Sequence, residues 1–446
     1  MTKVLFSNPP WWIGKSAEGL WISGVRAGSR WPFIQTVLSS PGRYVFGDYL
    51  PYPFFQGFAA TYVREKTGAE VFFRDSIALR ESYEKFFTYV AYEKFDFIFL
   101  ESSSPSWEHD KEIIRQIHEI APQSKIVITG PITIAKGEEI LSSLPVHACI
   151  KGEYEKGSVR VLEGETGLVD FDFLSSEEMN AAPPFFLDAL YAKRYWDGNP
   201  LGQRKPQLQM WTSRGCPYKC IFCVWPATMT GNDPDGHGKR RVRFYRPEYV
   251  ENHLRELVDR YHFKTVYFDD DTFNLTDKHV LGICDVMRRI KVPWAAMCRA
   301  DTISLDTWKE MRDSGCFGVK IGFESGNQTV IDTIVNKNLN LEKAREVVFE
   351  LKRLGLTVHG TFTIGLPGET REQMFDTLAF IKSLPLDTYQ VSGTAVLEGT
   401  PLHSIQSGAR LERYPGASTQ EGFLEEKDGV VKLVKLVQNL SSQNVP

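Results

Sequence analysis

The sequence predicts an α/β protein: a doubly wound parallel sheet, then a partial parallel barrel of six strand–helix units, then a short C-terminal extension. Apolar strand-like runs alternate with helical patterns from the N-terminus to about residue 165, and the alternation resumes at Pro206. Strands interleaved with helices read as parallel sheets covered by helices. In addition, polar and glycine-rich clusters recur at the C-terminal ends of the later strands, where parallel barrels carry their active sites.

The first unit, residues 1–165, opens with Val4–Ser7, an apolar strand stopped by Asn8-Pro9-Pro10. Helix Phe55–Thr67, strand Glu70–Phe73, helix Tyr83–Glu93 and strand Phe95–Leu100 follow. Then come helix His109–Ile120, strand Lys125–Thr129, helix Lys136–Leu144 and strand Ala148–Ile150. In such sheets ligands sit beyond the carboxyl ends of the strands. Those ends are Asn8-Pro9-Pro10, Asp75-Ser76, Ser102-Ser103-Ser104 and Gly130-Pro131. The stretch from Pro10 to Tyr52 has little periodicity and holds Trp11, Trp12, Trp21, Arg26, Arg30, Trp31 and Arg43. It reads as a packed cap or as a lid over the cavity between the units. Residues 166–205 read as a linker because of Ala182-Pro183-Pro184 and Asp197-Gly198-Asn199-Pro200.

The second unit, residues 206–401, begins with strand Leu208–Thr212. Helix Pro247–Tyr261, strand Thr265–Phe268, helix Asp277–Ile290, strand Trp294–Cys298 and helix Leu305–Ser314 follow. Strand Gly318–Gly322, helices through Leu354, strand Thr357–Ile364, helix Arg371–Leu384 and strand Thr388–Val396 complete it. The extension, 402–446, carries a helix near Gly429–Leu440.

Composition bounds the function. A hydrophobic fraction of 42% and a charged fraction of 24% describe an ordinary globular chain. A net charge of −4 offers no bulk attraction for nucleic acid. The basic run Lys239-Arg240-Arg241-Val242-Arg243 reads as a solvated loop, with binding of a phosphate-bearing substrate as the alternative. There is no apolar run of about twenty residues, so no membrane span is expected, and the N-terminus lacks a long apolar signal core. A cytoplasmic protein is expected, with its thiols reduced. Cys149, Cys284, Cys298 and Cys316 read as small buried hydrophobes.

The remaining three of the seven cysteines lie within eight residues, in Cys216-Pro217-Tyr218-Lys219-Cys220-Ile221-Phe222-Cys223. Thiolates are soft ligands that suit zinc or an iron–sulfur cluster. Zinc would need a fourth ligand, for which His237 is the candidate. Three thiolates on a [4Fe–4S] cluster would leave one iron open.

This CxxxCxxC, with aromatic Phe222 before its last cysteine, resembles the signature of the radical S-adenosylmethionine (SAM) superfamily. The resemblance implies that Cys216, Cys220 and Cys223 hold a [4Fe–4S] cluster. The open iron would take the amino and carboxylate groups of SAM, whose reductive cleavage makes a 5′-deoxyadenosyl radical. The later clusters resemble one subgroup of that family. There, Asp269-Asp270-Asp271 would face the SAM amino group, with Asp270 central. Arg299, in Cys298-Arg299-Ala300-Asp301, would hold a carboxylate, with a structural pair to Asp301 as the rival reading. Glu324, in Gly322-Phe323-Glu324-Ser325-Gly326, would take the ribose hydroxyls, with Ser325 beside it. The turn Gly365-Leu366-Pro367-Gly368-Glu369-Thr370 would approach the adenine. The first unit resembles the Rossmann-like cobalamin-binding domain that precedes the TIM-like (β/α)6 barrel in that subgroup, which implies Pro9, Ser102, Ser103 and Gly130 as corrinoid contacts. It departs from the DxHxxG pattern that supplies a histidine to cobalt: Ser76-Ile77-Ala78-Leu79-Arg80 follows Asp75.

The expected activity is therefore radical SAM chemistry, with cobalamin-dependent methylation of an unactivated carbon first. Cobalamin-free dehydration, cyclisation, epimerisation or carbon–carbon coupling is the alternative, and a Cys3His zinc binding module is the reading from another class. The expected partners are a small-molecule substrate and an electron donor such as flavodoxin or ferredoxin.

Overall fold

In the computed structural model of the chain, residues 1–15, 21–23, 33–37, 44–47, 49–197, 205–233, 235–394 and 396–406 are described. The first sheet has six parallel strands: β1 (Lys3–Asn8), β2 (Glu70–Asp75), β3 (Phe97–Glu101), β4 (Lys125–Thr129), β5 (Ala148–Ile150) and β6 (Gly167–Val169). Their spatial order is 6-5-4-3-1-2. The order reverses between β1 and β3, and such a switch point is where doubly wound sheets open a ligand crevice. The strands are apolar almost throughout because both faces are covered: Leu5, Phe6, Ile98, Phe99, Val127 and Ile128 are fully buried. Helix α1 (Phe54–Thr67) ends on Gly68, whose φ of 65° gives the left-handed C-terminal cap that glycine adopts at no steric cost. Helix α2 (Tyr83–Glu93) starts on the Ser82 cap, and α3 (Trp107–Ile120) and α4 (Ile132–Ser143) follow. Helix α5 (Glu155–Leu162) packs against α1.

The second sheet carries six parallel strands in chain order: β7 (Gln207–Met210), β8 (Thr265–Phe268), β9 (Trp294–Cys298), β10 (Cys316–Glu324), β11 (Thr357–Ile364) and β12 (Thr388–Gly393). This is the partial barrel that the alternation predicts. Its helices are α6 (Pro247–Tyr261), α7 (Asp277–Ile290), α8 (Leu305–Asp313), α9 (Leu341–Arg353) and α10 (Arg371–Ser383).

Three features depart from the sequence expectation. Helix α4 begins at Ile132, directly after Pro131, four residues ahead of the expected start at Lys136. The stretch read as linker from residue 166 instead adds β6 to the edge of the first sheet and then a helix, Ser176–Ala181, with a Ser175/Glu178 capping box. The aperiodic N-terminal stretch supplies an antiparallel pair, Phe33–Val37 and Tyr44–Gly47, that continues the barrel sheet beyond β12. The expected lid residues Arg26, Arg30, Trp31 and Arg43, and the expected helix at 429–440, lie outside the described residues.

The two units share one continuous apolar core running from Phe58 and Tyr154 through Tyr245 to the barrel. A buried ion network crosses the same boundary. Arg214, after β7, donates to Glu155 at 2.6 Å and lies 3.5 Å from Glu153, and Arg243 donates to Glu153. The basic run is thus no solvated loop at Arg243. Arg240 is buried as well, on Asp233 at 2.9 Å, and Arg241 lies over the Phe173 ring.

Candidate active site

The carboxyl ends of both sheets face one cavity of about 350 Å³. Ser103, Ser104, Pro105 and Pro131 line it from the first sheet, and Phe54 and Phe55 line it from the start of α1. Cys216, Cys220 and Cys223 line it from the loop after β7, with Asp269, Asp270 and Asp271 from the end of β8. Arg299 and Glu324 close it from the following strand ends, and Lys337 from the loop before α9.

The cysteine loop contains no long regular element, yet distant segments hold it at several points. Ile221 N donates to Val335 O at 3.1 Å and Leu402 N to Ile221 O at 2.9 Å. Arg240 donates to the carbonyl of Tyr218. Asp233 grips both Lys219 and Arg240, and these charges hold the Asp233 carboxyl below the usual range against the opposing effect of burial. The Arg299 guanidinium covers the Tyr218 ring at 3.6 Å.

The residues fit an iron–sulfur cluster better than a single zinc ion. All three thiols border one cavity, and a cluster places each thiolate on its own iron. Among the described residues no three His, Cys, Asp or Glu side chains are grouped to share one metal ion, and His237 is exposed. Burial raises the pKa of all three thiols, most for Cys223. Assembling a cluster must therefore displace their protons.

Asp270 is buried at the end of β8. Its Oδ1 accepts from Thr212 N at 2.9 Å, Thr212 Oγ1 at 3.0 Å and Ser213 Oγ at 2.6 Å, which ties the end of β7 to β8. Its Oδ2 is buried with no hydrogen-bond partner. Burial pushes the carboxyl up to about 7. Glu324, at φ 71°, accepts from Lys337 Nζ at 2.8 Å and from Thr363 Oγ1 at 3.2 Å. Lys337 is fully buried and was not singled out from the sequence, although it sits between Asn336 and Asn338, both in the left-handed region that asparagine tolerates. Arg299 takes the structural pairing. Its fork holds Asp301 twice at 2.9 Å, and its remaining donors reach the Lys337 and Asn338 carbonyls at 3.1 Å.

Phe222 is on the cavity wall, whereas Ser325, Gly365, Pro9, Ser102 and Gly130 stand off it. Ser325 Oγ meets Thr377 Oγ1 at 3.1 Å, fastening the turn to α10. Gly365 N donates to Glu369 Oε2 at 2.8 Å, which shapes the turn itself. Ser102 Oγ donates to Asp110 at 2.6 Å. A Cβ on Gly130, at φ +99°, would meet Ser102 O at 2.3 Å. Around the switch point of the first sheet, Asn8 Oδ1, Gln56 Oε1 and Ser103 Oγ are buried without hydrogen-bond partners. These acceptors and the glycine-dependent close approach fit a polar ligand there. Asp75 is satisfied: Ile77 N and Ala78 N donate to Oδ1 at 3.1 Å each and Tyr195 Oη to Oδ2 at 3.0 Å.

Sequence comparison places a family on this geometry. Residues 211–381 match the Radical SAM superfamily. The chain is 33% identical over 211 residues to "Uncharacterized methyltransferase PH0819" of Pyrococcus horikoshii, covering 46% of this chain and 42% of that protein. It is 31% identical over 193 residues to cytidylyl-2-hydroxyethylphosphonate methyltransferase of Streptomyces wedmorensis, covering 41% of this chain and 34% of that one. The chain thus spans less than half the length of either relative. In fold it is similar to the radical SAM methyltransferase TsrM of Kitasatospora setae, solved with tryptophan substrate and a SAM analog, with a TM-score of 0.66 at 15% identity. That alignment covers 92% of this chain and 78% of TsrM. The cobalamin-dependent radical SAM enzyme OxsB, solved with aqua-cobalamin and SAM, aligns with a TM-score of 0.64 at 15% identity, over 99% of this chain and 71% of OxsB. The architecture is that of these two-domain proteins: a doubly wound domain ahead of a partial barrel. No helix among the described residues is long and apolar enough to cross a membrane.

Proposed function

We propose that the chain is a radical SAM enzyme that, with cobalamin in its first domain, methylates an unactivated carbon of a small-molecule substrate. The observation that carries this reading is the single cavity bordered at once by the three thiols and by the strand ends of the first sheet. Transfer between two cofactors and one substrate needs reacting atoms about 3 to 3.5 Å apart, so the cofactor faces must converge. When bound, the cluster and SAM supply the deoxyadenosyl radical and the corrinoid supplies the methyl group.

The chain's own residues bind and orient. Cys216, Cys220 and Cys223 hold the cluster. Asp270 Oδ2, buried without a partner, receives the SAM ammonium, and Glu324, held by Lys337 and Thr363, accepts the ribose hydroxyls. Arg299 keeps Tyr218 and the 337–338 turn in place, a positioning role. Ser103 and Pro131 border the corrinoid, and Gly130 permits the close approach behind them. Ile77 stands where DxHxxG would place histidine, so that position would supply no imidazole to a bound corrinoid. The electron comes from a donor such as flavodoxin or ferredoxin in the cytoplasm.

Anaerobic reconstitution tests the reading by iron, sulfide and corrinoid content, followed by deoxyadenosine and methylated-product formation. Replacing the three cysteines with alanine abolishes cluster absorption and deoxyadenosine; a triple variant that still cleaves SAM refutes the radical SAM assignment. A reconstituted protein that cleaves SAM but retains no corrinoid refutes the methylation and leaves a cobalamin-free radical reaction. One feature favours that second reading: Pro9, Ser102 and Gly130, three of the four residues expected against the corrinoid, are off the cavity wall.

A further inference from the structure

The cavity has two walls of different chemistry. One is aromatic and built from both domains. Phe54, the first residue of α1, stacks on Trp211 with ring centres 4.4 Å apart. Phe55 meets Trp211 edge-on at 5.0 Å and stacks with Trp225 at 5.7 Å. Trp225 lies two residues beyond Cys223, which sets this wall beside the cysteine loop. Trp211 and Trp225 are only partly buried, so both rings keep surface toward the cavity.

The other wall is charged, and among the described residues its cations are already committed. Arg214 is bonded to Glu155 at 2.6 Å, Arg299 to Asp301 at 2.9 Å and Lys337 to Glu324 at 2.8 Å. Glu101, Asp269 and Asp271 line the same space, beside the Asp270 carboxyl assigned to the SAM ammonium. An anion entering it would lose hydration and would have to break an existing ion pair to find a counter-charge. Two arginines of the basic run are spent elsewhere, Arg240 on Asp233 and Arg243 on Glu153, and no residue of the run lines the cavity.

From these two walls, and resting on the radical SAM reading, we infer that the substrate is uncharged or cationic and presents a flat apolar group to the Phe54/Phe55/Trp211/Trp225 wall, and that anionic substrates are rejected. Flat groups stack on such rings, and a cation gains further from their faces.

Three ligands sharing one ring system test the inference: 2-naphthylmethylamine, 2-naphthylmethanol and 2-naphthoate, titrated by equilibrium dialysis into the full chain loaded with cluster and SAM. The amine and the alcohol bind and displace one another, while naphthoate binds at least tenfold more weakly. Trp225→Leu and the milder Trp211→Phe, compared with wild type at equal iron content per chain, weaken the two binders several-fold. Naphthoate binding as tightly as the alcohol overturns the charge selection. Unchanged binding of the alcohol in both folded variants overturns the assignment of the wall. Either result leaves SAM cleavage by the wild-type protein intact, whereas loss of that cleavage overturns the reading on which the inference rests.

Discussion

Replacing Arg214 with methionine isolates the junction between the two domains. The Arg214, Glu153 and Glu155 side chains are each only 1% exposed. Arg214 Nη1 lies 2.6 Å from Glu155, its Nε donates to Tyr245 Oη at 3.0 Å, and its guanidinium covers the Phe58 ring at 4.3 Å. Glu153 keeps Arg243 when Arg214 is lost, but among the described residues Glu155 has no other ion pair, and its Oε2 is buried without a hydrogen-bond partner. Breaking a buried pair by removing one partner costs about 3–5 kcal/mol, because a charge stays in low dielectric. Methionine retains much of the stem's apolar packing, so the charge dominates the difference. Burial already raises the Glu155 pKa against the opposing pull of Arg214, and removing the cation raises it further. A carboxyl raised in the folded state stabilises most at low pH and loses that contribution as pH rises through its folded value. The Arg214→Met deficit is therefore largest at pH 8 and shrinks toward pH 5. Adding Glu155→Gln recovers most of the loss. The assay is urea denaturation of the cluster-free chain, followed by tryptophan fluorescence, for wild type, both single variants and the double variant. A deficit below about 1 kcal/mol that is flat with pH refutes the reasoning.

Other perturbations read other parts of the site. Asp270→Asn removes a carboxyl pushed from 3.8 up to about 7 by burial, a change equivalent to about 4 kcal/mol. The variant gains stability relative to wild type by up to that amount as pH rises from 4 to 8, and a pH-independent difference contradicts the burial. Gly130→Ala puts a side chain at φ +99° and against Ser102 O; a loss of at least about 1–2 kcal/mol in thermal denaturation is expected, and wild-type stability would contradict the close approach. Asp233→Asn releases Lys219 and Arg240, so the reconstituted protein should retain less iron per chain; unchanged iron content means that the loop does not need this anchor. Glu324→Gln weakens SAM binding at constant iron content, and unchanged affinity in equilibrium dialysis contradicts its assignment to the ribose.

The parallel strands were legible because burial on both faces imposes short apolar runs, and the turns between them are marked by proline and glycine. Val4 to Ser7 and Thr265 to Phe268 carry that signal in their own residues. The pairing of Phe33–Val37 with β12 does not: Thr36 meets Tyr389 across a very long sequence separation, and nothing local in an aperiodic stretch announces its partner. The same division runs through the site. The cysteines declare themselves by spacing and Asp270 by its acidic neighbours. For Arg299 the sequence offered a carboxylate ligand or a pair with Asp301, and the structure shows the pair; its other claimants, the carbonyls of Lys337 and Asn338, are backbone groups with no sequence signature. Glu153 sits in the loop between β5 and α5, and only the folded chain shows it turned toward Arg243 and Arg214 of the barrel.

That pairing bears on how the two domains act together. A cavity with one wall from each domain keeps its shape only if their relative position is fixed, and misplacement by about 1 Å can cost a hundredfold in rate. Apolar packing around Phe58 and Tyr245 supplies adhesion without direction. The ion network supplies direction: Arg214 must reach Glu155 while its Nε meets Tyr245, and Glu153 must face Arg243 at the same time. Arg214 also immediately precedes Gly215 and Cys216. At Gly215, φ is +94° and a Cβ would meet Arg241 O at 1.9 Å. The chain therefore runs from an interdomain anchor through a glycine that only a bare backbone can fill to the first thiol. A disturbance of the domain junction should thus reach the cysteine loop before it reaches the barrel core. In Arg214→Met, iron retention should fall at urea concentrations well below those that unfold the barrel, and simultaneous loss of both would show that the junction and the loop are not mechanically linked.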